Sequence, residues 1–226
     1  MKRSQINEIL READAFIRSH GYVLPPFAHW TAEQMRGALS AGSAIGERHL
    51  GWDITDYGGG RFDELGLVLF TTRNGSPADL HRGKGKLYAE KIMISRQRQL
   101  SPMHRHISKT EDIINRGGGA LVLKLYTSDR NGMIDQAQDV LVPVDGEERR
   151  LEPGGQLKLQ PGESVTLFPN VWHAFWAEGD DTLIGEVSTV NDDKTDNIFR
   201  DPVGRFPKVD EDTAPLHLLV SDYPEA

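Results

Sequence analysis

Residues 101–119 read SPMHRHISKTEDIINRGGG, and this stretch carries the densest chemical pattern in the chain. His104 and His106 are separated by one residue, Glu111 follows five residues later, and the stretch ends in the glycines 117–119. Alternate side chains of a β-strand point to the same face, so a strand here places both imidazoles on one side and the intervening arginine on the other. The pattern therefore predicts a strand with two histidines on one face, and a carboxylate close behind them.

Short apolar runs alternate with turn residues on both sides of this stretch. The runs are LGLVLFTTRNG, LYAEKIMISRQ, ALVLKLYTSDRNG, DVLVPVDGEE, GQLKLQPGE, SVTLFPNVWHAFWAEGDD and TLIGEVSTVNDD. Each has about the length of a strand, is rich in β-branched or aromatic residues and is bounded by Gly, Asn, Asp or Pro. This spacing predicts a mainly β chain, folded as an antiparallel barrel or sandwich over residues 51–200. Gly117–Gly119 lack the lysine and hydroxyl residue of a phosphate-binding loop, and we expect them to form a tight turn.

The two ends of the chain differ from this β region. Ser4–His20 has apolar residues at three-and-four spacing, and Thr31 with Gln34 forms the pattern of a capping box for a second helix. Residues 1–50 are therefore predicted to be a helical extension that packs on the barrel. Residues 201–226 are rich in proline and acidic residues, which predicts an irregular tail over the surface or a contact with a second subunit.

Composition narrows the functional classes. The 226 residues carry a net charge of −8, which argues against a general binder of nucleic acid or of anionic membranes. The chain has no cysteine, so disulfides, thiolate nucleophiles and zinc–thiolate sites are excluded. We find no apolar run long enough to cross a bilayer, and the first residues lack the apolar core of a signal peptide. A cytoplasmic location is therefore expected.

The histidine pair is a candidate metal site. Imidazole suits manganese, iron, nickel or zinc, and a carboxylate shifts the preference toward harder ions. A second predicted strand, LFPNVWHAFW, offers His173 as a further ligand. His104, His106, Glu111 and His173 would leave two free positions of an octahedron. The alternative is a solvated histidine pair on a loop and a packed His173. The remaining histidines have no partner at ligand spacing and are assigned to structure or surface: His20, His29, His49, His81 and His217.

Two motifs resemble a known family. PMHRHISKTE followed by the glycines resembles the first cupin motif, and GESVTLFPNVWHAF resembles the second. The longer strings YAEKIMI, KTEDIINRGGG and EVSTVNDDKTDN, with the helical lead-in, resemble the D-lyxose isomerase family of cupin sugar isomerases. The resemblance implies a cupin jelly-roll barrel that holds one metal ion, usually Mn²⁺, by His104, His106, Glu111 and His173. It also implies exchange of D-lyxose with D-xylulose, and often of D-mannose with D-fructose.

Such an exchange passes through a cis-enediolate and needs a base besides the metal ligands. Glu186 in TLIGEVST is the first candidate, because a glutamate among apolar and small residues needs a polar partner or a function when it is buried. Lys109 is a candidate proton donor to the enediolate, and Lys91 is a candidate contact for substrate hydroxyls. For each of the three, the alternative is an ordinary outward-facing side chain. Asp192, Asp193 and Asp196 either hydrogen-bond a polyol or cap a turn. One ring of an aromatic set is expected to face the sugar: Phe168, Trp172, Phe175 and Trp176.

Two other functions stay open at this point. A cupin with three histidines and a glutamate can be an iron dioxygenase, and a cupin without catalysis can be a sugar-binding module. We favour a sugar isomerase that acts as a homodimer, binds no nucleic acid and does not enter membranes.

Overall fold

The computed structural model describes residues 1–192, 195–204 and 206–224, and within them eleven strands form one antiparallel system. The strands are β1 Gly51–Thr55, β2 Leu67–Arg73, β3 Tyr88–Ser95, β4 Ser101–His106, β5 Glu111–Tyr126, β6 Val140–Val144, β7 Glu147–Leu151, β8 Gln156–Leu159, β9 Ser164–Leu167, β10 Trp172–Thr189 and β11 Asn197–Phe199. The main path runs in the order β1-β2-β3-β10-β5-β9-β6-β7. In addition, β4 pairs with β10 and β11, and β8 pairs with β5. Most strands coincide with the predicted apolar runs.

Two long strands connect the halves of the barrel. The first half of β5 pairs with β9 and its second half with β8, while β10 pairs first with β4 and later with β3. The prediction treated β10 as two strands separated by the turn residues 179–181, and that prediction is wrong. It is one strand because it pairs with β5 from Trp172 to Ser188, apart from irregularities between Glu178 and Thr182 and between Leu183 and Ile184.

The predicted turn at Gly117–Gly119 is also wrong. These glycines lie inside β5, opposite the irregularity of β10. Gly117 and Gly118 have positive φ, as expected for glycine, but they use it in a bulge. A Cβ on Gly118 would collide with the carbonyl oxygen of Asp181. The glycines therefore let two strands approach closely where the barrel bends, and do not reverse the chain.

Most of the helices lie before the barrel in the chain, and the longest of them packs against it. They are α1 Arg3–Ser19, α2 Ala32–Ser40, α3 Ala44–Glu47 and, between β2 and β3, α4 Pro77–Arg82, with short 3₁₀ helices at Pro26–His29 and Val220–Asp222. The predicted capping box is present, since the Gln34 backbone N–H donates to Thr31 Oγ1 at 3.2 Å and the Thr31 N–H donates to Gln34 Oε1 at 2.9 Å. The mainly β fold with an N-terminal helical extension is confirmed.

The apolar side of α1 shares one core with the barrel strands. Ile6, Leu10 and Ile17 pack in the same buried cluster as Phe70 of β2 and Ile92 of β3. A second cluster, inside the barrel, is formed mainly by β5, β6, β8 and β9. Because α1 and the first strands share a core, the division into residues 1–50, 51–200 and 201–226 stays a prediction. Among the described residues, no helix is long and apolar enough to cross a membrane.

The C-terminal segment is more deeply packed than expected. It is irregular apart from Val220–Asp222, but Leu219 is fully buried in the core that α1 shares with the barrel. The Arg3 guanidinium, itself buried, donates to Glu211 Oε2 at 2.9 Å and to Asp222 Oδ1 at 2.8 Å. The irregular course agrees with the prediction, but the segment does not lie only over the surface, because the Arg3 contacts and the buried Leu219 tie the two ends of the chain together.

We expect Leu10→Ala to destabilise the whole fold. Leu10 is 1% exposed, so truncation leaves a cavity between α1 and the barrel that costs about 2–5 kcal/mol of the free energy of unfolding. Val23→Ala is the matched control, because Val23 is 86% exposed and should change stability by less than about 0.5 kcal/mol. Urea denaturation of both variants measures the difference. Equal midpoints for the two variants would show that α1 is an appendage with no part in the core.

Candidate active site

A pocket of about 410 Å³ opens into the barrel, a size that suits a small-molecule ligand. Its walls come from β1, β2, β3, β4, β5, β10 and β11, and from the segment after β11. The polar residues that line it are Asp53, Thr55, Tyr57, Lys91, Ser101, His104, His106, Lys109, Glu111, His173, Glu186 and Asn197. All seven predicted ligands and catalytic candidates are in this set.

The strand ladders bring the three histidines together. His104 on β4 is paired with His173 on β10, and their ring centroids lie 4.1 Å apart. His106 lies two residues further along β4, so alternation points it into the same space, with its ring 5.5 Å from that of His173. One ring nitrogen of each histidine lies within 4.8 Å of the others, and all three are buried.

The turn before β10 sets this alignment. Asn170 adopts a left-handed conformation with φ +67°, which asparagine tolerates better than most residues. Its N–H donates to the carbonyl of His106 at 2.8 Å. This contact joins the turn to the end of β4, so the next residues of the chain enter the sheet with His173 beside His104.

Glu111 completes the group from the start of β5. Its Oε1 lies 3.3 Å from His106 Nε2 and 3.2 Å from His173 Nε2, yet it has no hydrogen-bond partner among the described atoms. Burial by itself would raise the pKa of Glu111, but the Lys109 ammonium and the neighbouring histidines hold that pKa well below its usual range. An ionised oxygen without a hydrogen bond, faced by two imidazole nitrogens, is the arrangement that a cation between them would satisfy.

The protonation of two histidines follows from their backbone contacts. Nδ1 of His104 lies 2.8 Å from the Pro102 carbonyl, and Nδ1 of His173 lies 3.1 Å from the Val171 carbonyl. A carbonyl only accepts, so Nδ1 carries the hydrogen in each ring and Nε2 keeps its lone pair for a metal. Burial, more than the adjacent histidines, lowers the pKa of His104 well below the usual value. Burial also lowers the pKa of His106, and it outweighs the opposing charge of Glu111. Both shifts favour the neutral form of His104 and His106, which is the form that ligates a metal.

A buried charge network lies beside the histidines. Lys109 Nζ lies 2.7 Å from Glu111 Oε2 and 3.1 Å from Glu186 Oε1, while Lys91 Nζ lies 3.4 Å from the same Glu186 oxygen. Lys91 Nζ also donates to Asn191 Oδ1 at 2.7 Å. Glu186, Lys109 and Lys91 are each about 4% exposed, which rules out the ordinary surface positions considered for them.

Of the loop aspartates, the two that the structure describes have different contacts. Asp192 accepts a hydrogen bond from the Thr195 hydroxyl at 2.6 Å, as a turn cap does. Asp196 is buried and binds the backbone of the β4–β5 loop at Ser108 and Lys109, a role that the sequence did not predict. Asp193 lies outside the described residues.

Among the predicted aromatic residues, only Phe175 lines the pocket; Phe168 is half exposed, and Trp172 packs in a separate small cluster. Tyr57 and Phe199 line the pocket but were not predicted, because nothing in their local sequence distinguishes them from core residues. Asp53 was also missed. Its place between apolar residues of the strand Gly51–Thr55 is the same pattern that identified Glu186, so this pocket residue could have been found.

A jelly-roll barrel whose interior holds three histidines and a glutamate around one point defines a cupin with a candidate metal centre. The D-lyxose isomerase family model matches residues 1–223, so the chain belongs to the D-lyxose isomerase family. The family prediction is confirmed, and so is the prediction of an enzyme that isomerises sugars.

Similar proteins agree with this assignment. The chain is 44% identical to a D-lyxose/D-mannose isomerase of Serratia proteamaculans over 227 residues, which covers 99% of this chain and 98% of the relative. It is also 44% identical to a D-lyxose/D-mannose isomerase of Escherichia coli O157:H7 over 226 residues, with the same coverage. The L-ribose isomerase of Acinetobacter sp. DL28 in complex with L-ribose superposes with a TM-score of 0.60 at 14% identity, over 92% of this chain and 98% of that one. This structural likeness shows the cupin fold.

Proposed function

We propose that this protein interconverts D-lyxose with D-xylulose, and D-mannose with D-fructose, with the help of one divalent metal ion. The observation that supports this most directly is the position of Glu186, a buried carboxylate in the same pocket as the three histidines and two lysines. The names of the 44% identical relatives support both sugars.

His104, His106, His173 and Glu111 are the residues that would hold the ion. Three neutral imidazoles and one carboxylate form a donor set that suits first-row divalent metals, and we propose Mn²⁺ because the carboxylate favours a harder ion. The unbonded Glu111 Oε1 is the feature that fits a cation best. When bound, the ion would supply Lewis-acid stabilisation of negative charge on the substrate oxygens.

Glu186 is the proposed base. In the aldose-to-ketose direction, the C2–H bond breaks and Glu186 takes that proton, which leaves a cis-enediolate; Glu186 then delivers to C1 either this proton or one exchanged with solvent, which forms the new C1–H bond. The hydroxyl proton on O2 must leave, and O1, formerly the carbonyl oxygen, must gain one. The ammonium groups of Lys91 and Lys109 lie within 3.4 Å and 3.1 Å of Glu186, so they keep the carboxylate oriented and place a proton donor beside it.

The assignment of substrates is tested by incubating the purified protein with Mn²⁺ and each aldose. We expect D-xylulose from D-lyxose and D-fructose from D-mannose, and loss of both products after treatment with EDTA. An oxygen electrode in the same assay separates the isomerase from a dioxygenase. Failure to convert either sugar, with the protein folded and metal-loaded, would contradict the proposal and favour a binding module.

We expect Lys109→Met to separate the two proton transfers. Loss of the ammonium slows proton movement between the oxygens, while Glu186 still removes the carbon proton. Turnover should therefore fall by about 10²-fold or more, whereas exchange of the C2 proton with deuterium from solvent should fall less. NMR of the sugar in D₂O measures exchange and product together. The control is Lys158→Met, which removes an exposed lysine paired with Glu178 outside the pocket. Equal losses of exchange and turnover would contradict this role.

We also propose a cytoplasmic homodimer that binds no nucleic acid. The net charge of −8 and the absence of cysteine fit this location and partner set. The apolar face of α1 is buried against the barrel and is not free for a subunit contact. Support for a dimer therefore comes from exposed apolar side chains elsewhere, such as Tyr88 and Phe168. Light scattering measures the molar mass in solution, and a mass of two chains would support the homodimer.

A further inference from the structure

His106 differs from the other two histidines in how its ring is held. No described atom forms a hydrogen bond to its Nδ1, although that nitrogen is buried. His104 and His173 each have a backbone carbonyl at this position. The tautomer of His106 is therefore not determined by the backbone.

Two carboxylates compete for the single hydrogen of a neutral His106. Glu111 Oε1 faces Nε2 at 3.3 Å, and Asp196 Oδ2 faces Nδ1 at 3.8 Å. If the hydrogen lies on Nε2, it points at Glu111 and this nitrogen cannot ligate a metal. If it lies on Nδ1, it points at Asp196, and the Nε2 lone pair faces the centre of the site.

Asp196 is held in a fixed position by its hydrogen bonds and its place next to β11. It is 7% exposed, and the pairing of Asn197 with His106 in the β11–β4 ladder sets its position. Its Oδ1 accepts from the Ser108 N–H at 2.8 Å and from the Ser108 hydroxyl at 2.7 Å, and its Oδ2 accepts from the Lys109 N–H at 3.1 Å. These donors hold the carboxylate with one oxygen directed toward His106.

We propose that Asp196 is a positioning residue that places the His106 hydrogen on Nδ1 and so keeps Nε2 available as a metal ligand. The inference rests on the proposed metal site, since ligation is what the tautomer serves. The Nδ1–Oδ2 separation of 3.8 Å must shorten to roughly 3 Å for a hydrogen bond, a small rotation of the ring that ligation at Nε2 would favour. Asp196 also accepts a hydrogen bond from the Lys109 N–H. It therefore orients two residues: the proposed ligand His106, and Lys109, whose ammonium lies beside the proposed base Glu186.

The experiment compares the full-length protein with Asp196→Asn. Asparagine keeps the size but replaces one acceptor oxygen with an N–H₂ donor, which faces either His106 and Lys109 or Ser108. We expect the Nδ1–H tautomer of His106 in the metal-free parent protein, and a shift toward Nε2–H in the variant, by NMR of ¹⁵N-labelled histidine. The Kd for Mn²⁺, measured by electron paramagnetic resonance, should rise by about 10–100-fold.

Ser108→Ala is the matched control. It removes one hydrogen bond to the same carboxylate and leaves the charge facing His106 in place. Its tautomer and Kd should stay close to those of the parent. An Nε2–H tautomer in the parent protein, or an Asp196→Asn protein with unchanged tautomer and Kd, would overturn the inference. Should Asp196→Asn fail to fold, the tautomer of His106 in the parent protein still tests the inference. If the parent protein did not bind Mn²⁺, the proposed metal site would be contradicted instead. The tautomer of His106 would still test the role of Asp196 in that case.

Discussion

Glu186→Gln is expected to lower turnover of D-lyxose by about 10²–10⁴-fold, the usual contribution of a general base. Glutamine keeps the shape of the side chain and can still receive hydrogen bonds from Lys91 and Lys109, but it cannot accept the carbon proton. Bound Mn²⁺ should therefore stay near the parent level. Exchange of the C2 proton with solvent deuterium should fall in step with turnover, because that exchange reports formation of the enediolate.

The control for this variant lies on the same strand. Glu178→Gln also replaces a glutamate of β10, but Glu178 is partly exposed and pairs with Lys158 outside the pocket, so its turnover should be unchanged. A Glu186→Gln protein that converts D-lyxose at the parent rate would place the base elsewhere. Lys109 and Asp53 would then be the next pocket residues to test.

His173→Ala is expected to remove most of the bound metal and most of the activity together. The change deletes one of four proposed donors and leaves Glu111 Oε1 with one fewer imidazole beside it. Loss of Lewis-acid stabilisation worth several kcal/mol corresponds to a fall in turnover of about 10³-fold or more. Elemental analysis after dialysis and a D-lyxose assay measure the two effects.

His81→Ala provides the comparison, because His81 is exposed on α4 and outside the site. If the His173→Ala protein retained full metal and full turnover, His173 of β10 would not be a metal ligand. A protein that loses metal but keeps turnover would contradict metal dependence itself. Thermal denaturation of both variants shows whether the His173 change acts through folding instead.

Much of the fold was predictable because its evidence is local. Strand periodicity, bounding glycines and prolines, and the Thr31–Gln34 capping box each act within a few residues, and each element appears close to its predicted place. The predictions that are wrong concern where strands join. Residues 117–119 and 179–181 have the composition of turns, but they face each other across β5 and β10, and their pairing keeps both strands continuous.

The ligand candidates show the same division. His104 and His106 are two residues apart, so strand alternation alone brings both side chains to one face of β4, whereas Glu111 joins them only because the chain turns between β4 and β5. His173 was named from its motif and its strand, but its partnership with His104 depends on the β4–β10 ladder. Asp196 was predicted to bind a polyol or to cap a turn, because the β11–β4 pairing that brings it near His106 is not visible in the local sequence.

The sequence by itself determined the mainly β chain with its helical lead-in, the ligand motif on β4 and the unusual glutamate of β10, since each depends on periodicity or spacing between near neighbours. Only the tertiary structure decided that Lys109 and Glu186, 77 positions apart, share a charge contact beside Glu111. It also decided that Asp196 binds the backbone of Ser108 and Lys109 and lies 3.8 Å from His106. The physical reason is register: a side chain's face follows from its own strand, but its partners follow from hydrogen-bonded ladders between strands distant in the chain.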